Sequence, residues 1–165
     1  MGPIVSIDPG IHGCGLAVFA QSTLLGAEYV SGIGCQMHPL LEIVDGIERS
    51  LNSIMNQIGT IDTIVIETPQ VYQTAHQKGD QRDLVDLAIV VGGILAVSRS
   101  TANAALLVRP AEWKGQLPKD VSAKRVISIL GEDERSAIEL PTASRLYHNV
   151  LDAIGIGLWR LGRSK

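Results

Sequence analysis

Cysteine is scarce in this chain of 165 residues: only Cys14 and Cys35 are present. They fit neither a disulfide framework nor a thiolate metal site, and such sparse use points to a reducing cytoplasm. No apolar run approaches the roughly 20 residues of a membrane span, and the N-terminus lacks the basic segment of a secretory signal. The expectation is therefore a cytoplasmic protein with no membrane partner. Repeats, low-complexity tracts and linkers are missing too, which leaves one globular domain over residues 1–165. Basic residues are nearly absent from the first half. Residues 1–70 hold Arg49 alone against seven acids, whereas residues 71–165 hold thirteen basic residues against ten acids. The net charge of −3 argues against a polyanionic partner, but this distribution fits an acidic site in one half and a polyanion-binding face in the other.

What is present is apolar, 45% of the chain, and it is patterned. Residues 3–8 read as a buried strand, and residues 15–20 and 23–30 as two more in an antiparallel meander, with Gln21-Ser22 as the short connection. Residues 39–58 carry apolar side chains at three- and four-residue steps, with Pro39 at the start and Gly59 at the stop, and predict an amphipathic helix. Residues 61–67 predict a strand and residues 83–99 a helix apolar nearly all round, with Gly92-Gly93 allowing close packing. A short strand follows at 104–108, then a basic loop or turn at 110–119 and a helix at 120–130 that Asp120 or Ser122 could cap. Residues 131–139 read as acidic loop, and the last helix spans 142–161. The order βββαβαβαα predicts one α/β domain, a mixed sheet with helices on both faces.

Two strands end on a carboxylate followed by a turn signal: Ile7-Asp8-Pro9-Gly10, and Ile66-Glu67 with Pro69 just after. An acid at the end of an apolar strand is costly unless it is paired or bound to a cation. The last helix supplies a third, Asp152, set among Val150, Leu151, Ala153 and Ile154. His148 lies four residues before it and Asn149 three, so all three share one helix face. Each residue alone has an ordinary reading: a turn Asp, a paired Glu, a rim His. Together, three embedded carboxylates without cysteine favour hard cations, Mg²⁺ with Mn²⁺ as a substitute, over zinc. Two such ions about 3.5–4 Å apart form the clamp used in phosphodiester hydrolysis.

These motifs, in this order, resemble the RuvC-type Holliday junction resolvases of the RNase H-like nucleases. Glu67-Thr68-Pro69-Gln70-Val71-Tyr72 and Trp113-Lys114-Gly115-Gln116-Leu117-Pro118-Lys119 resemble the bacteriophage versions most. The resemblance implies a five-stranded sheet with the first and fourth strands adjacent. It also implies a homodimer that nicks two symmetry-related strands of a four-way DNA junction, leaving 5′-phosphates, in recombination and repair. Asp8, Glu67 and Asp152 then become the catalytic carboxylates, with two Mg²⁺ ions per site and no nucleotide cofactor. The family's fourth ligand lies three residues before the last Asp, which here is Asn149. His148 is preferred for that role, as ligand or as the base that orients water, with the Asn149 amide oxygen as the alternative. Phosphate contacts are expected from Lys114, Lys119, Lys124 and Arg125. Tyr72 stands where the family stacks an aromatic on bases, and Trp113 leans to the core.

Other readings stay open. Asp8-Pro9-Gly10 followed by Gly13 also resembles the phosphate loop of actin-like ATPases and sugar kinases, which need two such domains. A broader nuclease for flaps and forks, acting in phage DNA debranching, and a catalytically weak junction-binding protein are the others.

Overall fold

The computed structural model describes residues 2–32, 34, 38–70, 80–115 and 117–164. Five strands form one sheet: β1 (Ile4–Asp8), β2 (Gly13–Ala20), β3 (Thr23–Ser31), β4 (Ile61–Glu67) and β5 (Ala102–Val108). Their order across the sheet is β3-β2-β1-β4-β5. The first three make the expected antiparallel meander, and β4 and β5 add in parallel. The tight β2–β3 turn puts both Gln21 (φ +50°) and Ser22 (φ +72°) in the left-handed region, the geometry that a two-residue hairpin connection demands. Neither residue is glycine, so the turn is strained. The Arg163 guanidinium donates to the Ser22 carbonyl at 2.6 Å and holds it.

Helices α1 (Pro39–Ile58) and α2 (Gln81–Thr101) cover one face of the sheet. Helix α1 starts where Pro39 supplies the φ angle and the His38 imidazole accepts the Leu40 N–H. It stops at Gly59, with φ +81°. Its buried stripe of Leu40, Ile43, Val44, Ile47 and Leu51 packs on Ile7, Leu16, Ile64 and Ile66. Of the glycine pair in α2, Gly93 alone serves packing: a β-carbon there would strike the Val44 side chain, while Gly92 faces open space. One expectation needs correcting. Helix α2, 21 residues long with a mean hydropathy of 1.6 over its most apolar window, is long and apolar enough to cross a membrane by length and composition. Val90, Val91 and Ile94 bury one side of it in the core.

The opposite face is covered by α6 (Tyr147–Arg160), with α3 (Pro110–Trp113) and α4 (Lys119–Ile129) beside it. Helix α6 sits close to the sheet because of what the sequence omits. A β-carbon on Gly15 of β2 would overlap the Asn149 carbonyl, and one on Gly157 would overlap the Phe19 ring. The Ser6 hydroxyl, buried in β1, donates to the Ala153 carbonyl at 2.7 Å and fixes the helix along the strand.

The expected boundaries shift in places. The last helix begins at Tyr147 rather than 142, after a single 3₁₀ turn at Ser144–Leu146. The residues expected as acidic loop contain a short helix, α5 (Glu132–Ser136). Helix α4 starts behind Pro118 without a side-chain cap, and Ser122 is buried inside it. The cause at α5 is a tertiary clamp. Glu134 accepts both Arg163 nitrogens (2.6 and 2.8 Å) and the N–H groups of Leu24 (2.8 Å) and Gly131 (2.9 Å).

Candidate active site

Strand alternation decides which face the acids occupy. In β1, Val5 and Ile7 point to the α1–α2 side, while Ile4 and Ser6 point to α6. Asp8 follows the parity of Ser6 and so faces α6. In β4, Ile64 and Ile66 belong to the α1–α2 side and Val65 to the other, which puts Glu67 on the α6 face as well. The strands are parallel with Ile7 beside Ile66, so the next residues, Asp8 and Glu67, end neighbouring strands at the same edge. Asp152 reaches the same region from the second turn of α6, only 7% exposed, and Asp8 is 8% exposed.

Lys114 meets these acids. It follows α3 directly, and its ammonium lies 3.1 Å from Asp152 Oδ2 and 3.7 Å from Glu67 Oε2. The Trp113 indole N–H donates to the same Glu67 oxygen at 2.5 Å, and the Lys114 ammonium stands 4.6 Å from the centre of the Trp113 ring. Burial works against the charged forms of Glu67 and Lys114. It raises the Glu67 carboxyl above its usual range, and the Lys114 charge and the Trp113 hydrogen bond only partly offset this. Burial would lower Lys114, but the charges of Glu67, Asp152 and Asp8 outweigh it and hold the ammonium above its ordinary value. The site is thus a pocket of negative charge stabilised by one internal cation. Cys14, beside it in β2, is inert as an acid. Burial pushes its thiol up to about 12 even though a backbone hydrogen bond from Gly10 opposes the shift.

The two candidates for the fourth position separate cleanly. His148 is exposed on the first turn of α6. Asn149 packs inward against the turn after Asp8: a β-carbon on Gly10 would come 3.3 Å from its amide nitrogen. Its Oδ1 is buried without a hydrogen-bond partner. The side that Asn149 presents to the site follows from the close approach of α6 to Gly15, which helical spacing alone does not reveal. Of the two, Asn149 is the one placed beside the turn after Asp8, while the preferred His148 stands exposed.

The donor set suits a hard divalent cation: carboxylates, an amide oxygen and no thiolate. It already holds a positive charge, the Lys114 ammonium. Among the described residues, no three His, Cys, Asp or Glu side chains stand in a group able to hold an ion as they are placed.

The expected DNA-contacting residues scatter. Lys114 faces the acids rather than solvent. Lys124 is exposed on α4. Arg125 is exposed too, but its guanidinium donates to the Ser164 carbonyl at 2.6 Å and ties down the C-terminal segment. Lys119 opens α4, and its side chain, like Tyr72, lies outside the described residues. Trp113 is buried, as expected, against Gly155 of α6. Its second role, holding Glu67, has no signal in the sequence beyond its adjacency to Lys114.

No protein-family model and no curated sequence matches the chain. Solved structures do share its fold. Thermus thermophilus RuvC in complex with a Holliday junction substrate superposes with a TM-score of 0.68 at 22% identity, covering 99% of this chain and 98% of that one. A second Thermus thermophilus RuvC structure gives 0.62 at 20% identity, covering 98% and 97%. The yeast mitochondrial Holliday junction resolvase Ydc2 gives 0.56 at 12% identity, covering 98% and 79%. The five-stranded mixed sheet with helices on both faces is therefore the RuvC-like, RNase H-type fold.

Proposed function

We propose that this chain is a divalent-metal-dependent endonuclease of branched DNA, cutting four-way junctions by paired nicks that leave 5′-phosphates. One observation carries the reading. Buried Asp8 and Asp152 and half-buried Glu67, from three separate elements, come together at the ends of β1 and β4 around the Lys114 ammonium. Burying such groups costs several kcal/mol each before compensation, so a purely structural role leaves the arrangement without a return. The fold likeness to RuvC and Ydc2 supports the choice of DNA junctions as substrate.

Asp8, Glu67, Asp152 and Asn149 would hold the ions. Two Mg²⁺ or Mn²⁺ ions bound there would supply Lewis-acid activation of water and neutralise charge building on the departing 3′-oxygen. The chain's own residues do the positioning. Asp8 is fixed by its pairing with Gly15, at the end of a strand that β4 pairs as far as Ile7 on the other side. Glu67 is oriented by the Trp113 indole, and Asp152 by the seating of α6 on Ser6 and Gly15. Lys124, exposed beside the site-bearing helix, and the basic α4 surface would take DNA phosphates, giving binding that weakens with salt. Pairing of nicks requires two sites, and we propose a homodimer through the exposed apolar side of α2, where Val85 (61% exposed) and Ile89 (49%) lie one turn apart.

The test is cleavage of a synthetic four-way junction, a flap and a plain duplex with Mg²⁺. The proposal expects symmetric nicks in the junction and an intact duplex. Equal cutting of flap and junction would broaden it to a general debranching nuclease. No cutting of any branched substrate would contradict it.

A further inference from the structure

We propose that Lys114 is a built-in counter-ion: its ammonium holds the cation position between Glu67 and Asp152 in the metal-free protein, and a divalent ion must displace it to bind there. The inference rests on the metal-site reading above and adds a competitor to it.

Geometry carries the argument. The ammonium contacts two carboxylates that belong to different elements, β4 and α6, and among the described residues it is the side chain that bridges them in an ion pair. All three side chains are largely shielded, at 17%, 15% and 10% exposure for Lys114, Glu67 and Asp152. An ion coordinated by both carboxylate oxygens at the usual distance of about 2.1 Å would fall in the space the ammonium fills. The two cations also repel strongly at such range in a shielded site. Lys114 and a metal bridging Glu67 and Asp152 are therefore alternatives.

The lysine can leave. A lysine charge rides on a flexible four-carbon stem, and Lys114 stands at the end of α3, before Gly115 in a left-handed conformation (φ +60°). Its other neighbour, the Trp113 ring, offers a face to rest on rather than a hydrogen-bond acceptor. Trp113 stays behind, still donating to Glu67, so one ligand remains aimed while the counter-ion departs. The arrangement keeps buried acids neutralised until metal arrives. It also lowers apparent metal affinity by the fraction of molecules in which the lysine is seated.

Calorimetric titration of Mn²⁺ into the DNA-free protein tests this, with D8N as the control for binding at the carboxylates. Wild type is expected to bind in a manner that D8N weakens. K114M and K114Q, both neutral, are expected to bind Mn²⁺ about tenfold or more tightly than wild type, while unfolding at lower temperature without metal. Unchanged or weaker binding in both variants overturns the inference and leaves the metal site standing. Absence of carboxylate-dependent binding in wild type and variants alike overturns the metal site and the inference with it. A measurement on the unmodified chain guards against misfolded variants. Acetylation of Lys114 by an N-hydroxysuccinimide ester, followed by mass spectrometry, is expected to speed up several-fold when Mn²⁺ is added. A rate that stays level or falls overturns the inference.

Discussion

At the scale of single residues, acids that hold the structure separate from the acids proposed for chemistry. Glu134 is the first kind. Four donors converge on it, and the Arg163 fork holds its carboxyl down at about 2, against an ordinary value of 4.5. A depressed folded value means that the stabilisation is fully present above pH 4.5 and is lost as pH falls towards 2. The expected outcome is that wild type melts above Glu134→Gln by a constant margin at neutral pH. The margin narrows below pH 4.5 in thermal melts taken across the range. Glu67 is the second kind, its carboxyl raised by burial while the Lys114 charge pulls the other way. The sequence made the three carboxylates legible because an acid ending an apolar strand, or embedded in an apolar helix, is an anomaly of local pattern. Lys114 was not legible as their partner. It stands 47 positions from Glu67 and 38 from Asp152, and its neighbours look like any basic loop. The same holds for Glu134, whose partners come from β3, the residue before α5 and the C-terminal segment.

At the scale of elements, the site depends on how near α6 comes to the sheet. Gly15 lies opposite Asp8 in the β1–β2 register, and its missing side chain is where the Asn149 backbone rests. Gly15→Ala is expected to push α6 outward, because the obstructing atom is backbone and cannot rotate aside. The cost should be about 2–3 kcal/mol, the upper end for overpacking, read from urea unfolding. Cleavage should fall further than stability explains, since Asp152 moves with the helix. The hairpin, α1 and the β1–β4 pairing were readable because period and turn chemistry agree there. The start of α6 was not, because Thr142 and Ser144 both look like N-caps yet the helix begins after Leu146 without a side-chain cap, and the chain enters through a 3₁₀ turn. Choosing between His148 and Asn149 needed the helix's rotation about its axis. That rotation is set by Gly15, Gly157 and Ser6, residues that lie outside the helix's first turn.

At the scale of the whole molecule, the asymmetry of charge finds a spatial meaning. The acidic first half supplies two of the three acids at the strand ends, and the second half brings back Lys114 to neutralise them and presents Lys124 outward. The exposed apolar side of α2 belongs to this scale too. Replacing Val85 or Ile89 by Glu is expected to convert a dimer to a monomer in sedimentation velocity while leaving the melting temperature nearly unchanged. Paired nicking of a junction should then give way to single nicks. A variant that still sediments as a dimer would move the interface elsewhere. The central claim, that the buried carboxylates are a nuclease centre rather than a neutralised structural cluster, is tested most directly by Asp8→Asn on a four-way junction with Mg²⁺. The account predicts that wild type cuts, that the variant binds the junction with similar affinity, and that its cleavage falls below detection. Cleavage by the variant at the wild-type rate would contradict it.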